Sequence, residues 1–304
     1  MPAMMTTDFS DLSRDISKNL KLFTTAAHKM WADEWKNIID QQKTDLKINK
    51  RTRYEGPGSA GEIAESGTAI QRRIYPGNVE DCVQNDYGAE IAISYQQRRF
   101  VGKDYQFMKN VSEYLVRSMK LVYENNAANV LNNGFSSSYA GYDTKAYFAS
   151  DHTHRSDSST YSNLLSSTDM GRQALKVAFR SMAEYKMEAS VPAQLMPTRL
   201  HHSTEDLWTV PELLKTVQDP ESANNTINVL KSEYNIKPNL NHYITDTDSY
   251  YIDAQNPSRV MMIDLPTEYS SYMQDNNKDL IEQGWCSQGT MFFEQANCFA
   301  SQGG

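Results

Sequence analysis

DYQFMKNVSEYLVRSMKLVYENNAANVLNN, residues 104–133, is the stretch whose reading decides the fold. Apolar side chains recur at Phe107, Met108, Val111, Tyr114, Leu115, Met119, Leu121 and Val122, mostly three and four apart, which traces one broad face of an amphipathic helix. No Pro or Gly interrupts it. Asp104 can cap the first turn by accepting backbone N–H bonds, and Gly134 follows the last turn, where a left-handed stop costs glycine little. At about 1.5 Å per residue the helix is roughly 45 Å long, a strut as long as a medium domain is wide. Its apolar face fades after Val122 into Asn125, Asn126, Asn129, Asn132 and Asn133, with Ala127, Ala128, Val130 and Leu131 between.

Upstream, residues 9–43 read as a leading helix, with Leu12, Ile16, Leu20, Phe23, Ala27, Met30 and Trp31 on one stripe. From residue 51 the character changes. Gly56, Pro57, Gly58, Gly61 and Gly67 break any helix, and residues 69–75 and 89–95 read as the strands of one long hairpin joined by the turn-rich YPGNVEDCVQNDYG. Gln71, Arg72, Arg73, Gln96, Gln97, Arg98 and Arg99 make this arm too polar for a private core, so residues 56–92 are expected to contact neighbouring copies rather than the home core. GPGSAGE lacks the GK[ST] ending of a phosphate loop and lies between no clear strand and helix, so no phosphate role is assigned.

Downstream of the strut, residues 136–168 form a Ser-, Thr- and Gly-rich connection that contains SDHTHRSD. Asp151, His152, His154 and Asp157 are metal-ligand types, and histidines at i and i+2 on an extended segment project to one side. With no supporting ligand elsewhere in the chain, the segment reads as a polar surface loop. Residues 169–189 return to helix, with Met170, Leu175, Ala178, Phe179, Met182 and Tyr185 on one side. VPAQLMPTRLHHS is extended, and adjacent His201 and His202 face opposite ways as ordinary strand-end residues. TEDLWTVPELLKTVQ is helical, with Pro211 bending or restarting it. Tyr250 and Ile252 alternate as Val260 and Met262 do, which suggests a hairpin around AQNPSR. Finally, residues 280–286 and 290–293 read as two strands turned by Ser287, Gln288 and Gly289.

A chain of 304 residues can bury one elaborate core or two. Its hydrophobic content of 39% and mean hydropathy of -0.65 are thin for a free-standing enzyme of this size, which leaves surface for contacts with other chains. A net charge of -8 argues against a surface that grips nucleic acid by neutralising phosphates, though it does not prevent the protein from enclosing DNA. Cys82, Cys286 and Cys298 form no CxxC pair and read as buried small hydrophobes in a protein folded under reducing conditions. No 18-residue apolar run and no signal-peptide core are present, so a membrane role is not expected.

Taken in order, these parts resemble the major capsid proteins of tailed phages, and more closely the Mu-like major head subunit family. The resemblance rests on NDYGAEIAISYQQRRF (residues 85–100) running into the strut, on VLNNGF followed by YDTKAYFASDHTH, and on LMPTRLHHSTED followed by PELLK. LNHYITDTDSYYIDAQNP and EQGWCSQGTMFFEQANCFAS extend it through the C-terminal third. The resemblance implies an α+β capsid fold: an N-terminal arm at 1–52, an extended E-loop at 53–99, a peripheral domain at 100–135 and 266–304 that carries the spine helix 104–133, and an axial domain at 136–265. In such a spine helix the first half would pack on the sheet, and the asparagine-rich end would make polar contacts at the boundary with the axial domain. It also implies a virion structural protein that folds in the host cytoplasm. This homo-oligomer would self-assemble as pentamers and hexamers into an icosahedral shell around double-stranded DNA, without sequence-specific binding. A separate scaffolding protein, a portal and possible decoration proteins are the expected partners. No catalytic, cofactor-binding or metal residue is assigned, and no Lys and Asn pair for subunit crosslinking can be placed. The alternatives are an encapsulin-like nanocompartment shell of the same fold and, from another class, a metal-dependent hydrolase using Asp151, His152, His154 and Asp157.

Overall fold

The computed structural model describes residues 31–55, 63, 68, 74–100, 105–141, 143–154, 158–187, 190–217, 227–255 and 258–304. In chain order they form α1 (Trp35–Ile38), β1 (Asp40–Lys43), β2 (Ile48–Glu55), β3 (Tyr75–Val83), β4 (Asn85–Ile93), α2 (Tyr95–Phe100) and α3 (Tyr105–Asn132). Then come β5 (His152–Thr153), β6 (Thr160–Tyr161), α4 (Arg172–Glu184), β7 (Arg199–His202), α5 (Thr209–Lys215), α6 (Val229–Glu233) and β8 (Lys237–Leu240). The chain finishes with β9 (Tyr250–Asp253), β10 (Arg259–Met273), β11 (Leu280–Phe292) and β12 (Cys298–Ser301). Helix and strand are mixed in an α+β arrangement. Residues 9–30 of the leading helix expected over 9–43, the Asp104 cap, the GPGSAGE loop and Asp157 lie outside the described residues.

The strut is α3, within one residue of its expected bounds at each end. Its buried stripe is Val111, Leu115, Val116, Met119, Tyr123, Ala127 and Leu131, and Tyr114 is exposed instead of belonging to it. The apolar face does not fade at the asparagines; it continues through buried Ala127, Ala128 and Leu131. Asn132 supplies the expected polar contact, donating to the Tyr243 carbonyl at 2.9 Å and accepting from the Thr245 N–H at 3.1 Å. Gly134 is not left-handed, because among the described glycines only Gly303 has positive φ. Glycine is required there for space: a Cβ would lie 2.5 Å from the Phe148 ring.

One face of α3 packs on a four-stranded sheet of order β1-β10-β11-β4. β10 and β11 are antiparallel, β4 pairs antiparallel to β11, and β1 adds to β10 in parallel from Asp40↔Val260 to Lys43↔Ile263. Three expectations are corrected here. Residues 40–43 are strand rather than the end of a helix, because the edge of β10 offers their backbone partners. Residues 280–292 are one unbroken strand, with Gln288 registered between Ile263 and Asn85, so Ser287, Gln288 and Gly289 make no turn. Gly289 serves a close approach, since a Cβ would sit 2.4 Å from the Val83 carbonyl oxygen. Finally, β4 belongs to this sheet and pairs with no hairpin partner, and residues 95–100 form α2 rather than extending the strand.

The second sheet has order β12-β9-β7-β8. The hairpin expected around AQNPSR does not exist, because β9 lies in this sheet and β10 in the other, and the chain crosses between them at residues 254–258. Alternation along β9 and β12 serves two cores at once. Tyr250, Ile252 and Phe299 join Leu175, Ala178, Phe179 and Met182 of α4, while Tyr251, Cys298 and Ala300 join Met119, Ala127 and Leu131 of α3. A sheet covered on both faces buries every residue of β9, as period-two geometry requires.

The hairpin exists with different strands. β2 pairs with β3 from Ile48↔Val83 to Glu55↔Tyr75, which puts the expected turn YPGNVEDCV in a strand. Residues 69–73 of the expected first strand fall outside the described residues.

Candidate assembly surfaces and the buried polar keystone

The two faces of the β2–β3 ribbon differ in chemistry. On the inner face Asn49 and Cys82 are buried; Cys82 packs with Val260, Met262 and Met291, and the Arg51 guanidinium lies 4.7 Å above the Phe293 ring. The home core therefore holds the base of the ribbon, contrary to the expectation that the whole arm contacts only neighbours. Register puts Ile48, Val83, Val79 and the Lys50–Asp81 ion pair on the outer face, where the three apolar side chains stand half exposed. Leu46 and Tyr54 are exposed nearby in the chain. A second apolar group comprises Leu207, Val217, Ile227, Val229 and Trp208, the last 82% exposed. An indole so open to water is the kind of anchor that protein interfaces bury.

The SDHTHRSD segment is not a surface loop. His152 and His154 are buried, and both rings lie against Tyr161, at centroid distances of 5.1 and 4.7 Å, so they do project to one side. That side is a packed aromatic cluster. His152 Nδ1 is 2.6 Å from Asp143 Oδ2, and its Nε2 is 3.1 Å from Asn163 Oδ1. Burial opposes charge on Asp143, but the bonds from His152 and Gln295 hold its carboxyl below the usual range. Asp151 points away, paired with Lys145 at 2.7 Å. Among the described residues no three His, Cys, Asp or Glu side chains gather as metal ligands. A groove of about 320 Å³ beside the start of α4, lined by Leu165, Asp169, Arg172, Val177 and Tyr250 among others, has neither His nor Cys on its walls.

The polar centre that sequence reasoning missed lies where the two sheets meet. Arg259, fully buried at the start of β10, donates Nε–H to the Ile38 carbonyl at 2.9 Å, Nη1–H to Cys298 Sγ at 3.0 Å and Nη2–H to Asp253 Oδ2 at 2.5 Å. The same carboxylate oxygen is 2.7 Å from His201 Nε2, and His201 Nδ1 is 2.8 Å from the Asn239 amide nitrogen. Burial alone would raise the Asp253 pKa; the Arg259 charge and His201 reverse that and hold it well below the carboxylate range. One guanidinium thus joins the N-terminal segment, both sheets and the C-terminal strand. His201 is a member of this network and not an ordinary strand-end residue. A lone Arg between a polar loop and an apolar run carries no sequence signal of such a role. All three cysteines are buried and unpaired, as expected.

A second kind of buried acid lies on the seam between α3 and the sheet. Glu282 of β11 is covered, with the Ser112 hydroxyl donating to it at 3.2 Å. Burial pushes its carboxyl up to about 7, and the Ser112 bond only partly opposes this. A pKa raised in the folded state means that the stabilising contribution is complete below the ordinary value of 4.5 and is lost as pH rises through about 7. Glu282→Gln is therefore expected to unfold at higher urea than the wild type at pH 8.5, by roughly 3 kcal/mol, with the gap closing by pH 4.5. Urea titrations at the two pH values check this, and a gap that does not change with pH would contradict it.

No protein-family model matches the chain, and no curated protein matches it in sequence. Solved structures do match it. The capsid of Myoviridae phage XM1 is 11% identical with a TM-score of 0.54, over 88% of this chain and 90% of that one. The capsid of cyanophage P-SCSP1u is 8% identical with a TM-score of 0.59, over 90% and 88%. A virus-like particle from Pyrococcus furiosus is 8% identical with a TM-score of 0.53, over 93% and 98%. At these identities the likeness is one of fold, and the chain has the fold of these phage capsid proteins.

Proposed function

We propose that this chain is the repeating subunit of an icosahedral phage head, assembled as pentamers and hexamers around double-stranded DNA. The observation that carries the proposal is the match to phage capsid folds along about nine-tenths of both chains. The order of sequence motifs supports a place near the Mu-like head subunits. The net charge of -8 suits a container that must take up and release DNA without gripping it.

The parts then take the following roles. The peripheral domain is α3 with the β1-β10-β11-β4 sheet, and the axial domain is built on the β12-β9-β7-β8 sheet. Residues 1–52 supply the arm, and residues 53–99 the E-loop. Hydrogen bonding favours two amendments to those boundaries: β1 and β4 belong with the peripheral sheet, and β12 with the axial one. The half-exposed outer face of the ribbon and Trp208 are surfaces for neighbouring copies. A separate scaffolding protein, a portal and decoration proteins are the remaining partners, the virion is the location, and the role is structural rather than enzymatic. Among the described residues no helix is long and apolar enough to cross a membrane.

The Pyrococcus virus-like particle gives a second reading, an encapsulin-like nanocompartment that encloses protein cargo. The contents of purified particles separate the two. Nuclease-protected double-stranded DNA in particles from infected or induced cells is expected for the head, whereas one co-purifying enzyme and no nucleic acid would overturn that reading.

A further inference from the structure

Residues 31–38 lie across the middle of α3 and join residues 1–30 to the rest of the molecule. Lys120 donates to the Trp31 carbonyl and to Asp33 Oδ1, both at 2.8 Å, and the Arg117 guanidinium lies 5.1 Å above the Trp31 ring. The Trp35 and Tyr123 rings are 5.5 Å apart. At the centre of this seam Glu124 of α3 is buried, and its Oε1 accepts the Glu34 N–H at 2.9 Å, capping the start of α1. Its other oxygen is sealed from solvent and has no hydrogen-bond partner among the described residues. Glu34 in turn reaches His242, with Oε1 2.7 Å from Nδ1 and Oε2 accepting the His242 N–H at 3.1 Å.

We propose that this seam is a proton-operated latch, closed while Glu124 carries its proton and released when that proton is lost. A neutral carboxyl in a sealed site costs little beyond its hydrogen bonds, whereas a carboxylate there is desolvated on the side that no donor among the described residues reaches. The described groups facing it do not neutralise that charge. Asp33 and Glu34 on the arriving segment are acidic, and Tyr243 lies across from it. Lys120 on the preceding turn is engaged by Asp33 and Trp31, Arg117 by the Trp31 ring, and His242 by Glu34. Burial pushes Glu124 up to about 7; the Glu34 and Trp35 N–H bonds pull it down and the Glu34 and Asp33 charges push it up again. Because the folded-state value is raised, the attachment is complete below the ordinary value of 4.5 and is lost as pH rises through about 7. The latch belongs to the single subunit and does not depend on the shell reading.

Amide hydrogen exchange of the full-length protein at pH 6.0 and 8.5, corrected for intrinsic rates, tests this. Amides 31–39 of the wild type are expected to lose about tenfold or more of their protection at the higher pH, while those of β9 do not change. Glu124→Gln should keep residues 31–39 protected at both values. If that variant does not fold, Glu34→Gln, which removes one facing carboxylate whose charge raises the Glu124 value, should move the release to lower pH. Equal wild-type protection at the two pH values would overturn the latch, as would a pH response that Glu124→Gln, or Glu34→Gln in its place, leaves unchanged.

Discussion

Arg259→Met is expected to cost about 3–5 kcal/mol of subunit stability, which leaves most of the expressed chain insoluble. The magnitude follows from what stays behind. Methionine fills much of the volume, but Asp253 would remain charged and fully buried with only His201 beside it, and the Ile38 carbonyl would lose its donor. An uncompensated buried charge costs far more than the net worth of the pair. The double variant Arg259→Met, Asp253→Asn should therefore be more stable than Arg259→Met alone, since it removes the orphaned charge. Urea unfolding of the soluble fraction at pH 7 measures both. A loss under about 1 kcal/mol for the single variant would show that the two sheets are held by apolar packing alone.

The second large effect concerns assembly rather than folding. Residues 56–74 link β2 to β3 in the chain, and Glu55 and Tyr75 pair at the last register position of the ribbon, so a two-residue Asn-Gly turn can close the gap. That deletion should leave a soluble subunit with a cooperative melt and abolish closed shells. Deleting residues 56–92 should instead prevent folding, because it also removes buried Cys82 and most of β4, which β11 needs along its outer edge. Circular dichroism melts and sedimentation velocity distinguish the two outcomes. Closed shells from the shorter deletion would mean that residues 56–74 take no part in joining copies.

How much of this was legible in the sequence depended on how local the determining contacts are. The strut could be read because nearly thirty residues of uninterrupted helical period specify it without help from elsewhere, and the six apolar residues expected along 169–189 are all buried. Strand pairing was not legible. The partner of β3 is β2, a segment of mostly polar sequence, INKRTRYE, with no alternation to mark it. Ser287, Gln288 and Gly289 resemble a turn, yet β10 pairs with all three and β4 with Ser287 and Gln288, and Gly289 answers to the Val83 carbonyl rather than to a bend. The two alternating segments around AQNPSR suggested a hairpin because each has a buried face, and sequence does not say that the faces belong to different sheets. His152 and His154 read as loop residues because histidine among Ser, Thr and Asp usually is exposed; His152 is buried with Asp143 and Asn163, His154 against Tyr161, and His201 with Asp253, partners that only the fold brings near.

Electron microscopy of the purified full-length protein, expressed alone and together with a scaffolding partner, tests shell formation most directly. Uniform closed particles whose lattice resolves into five- and six-fold clusters of this chain are the expected result. Monomers or irregular aggregates under both conditions, with the subunit folded, would contradict it.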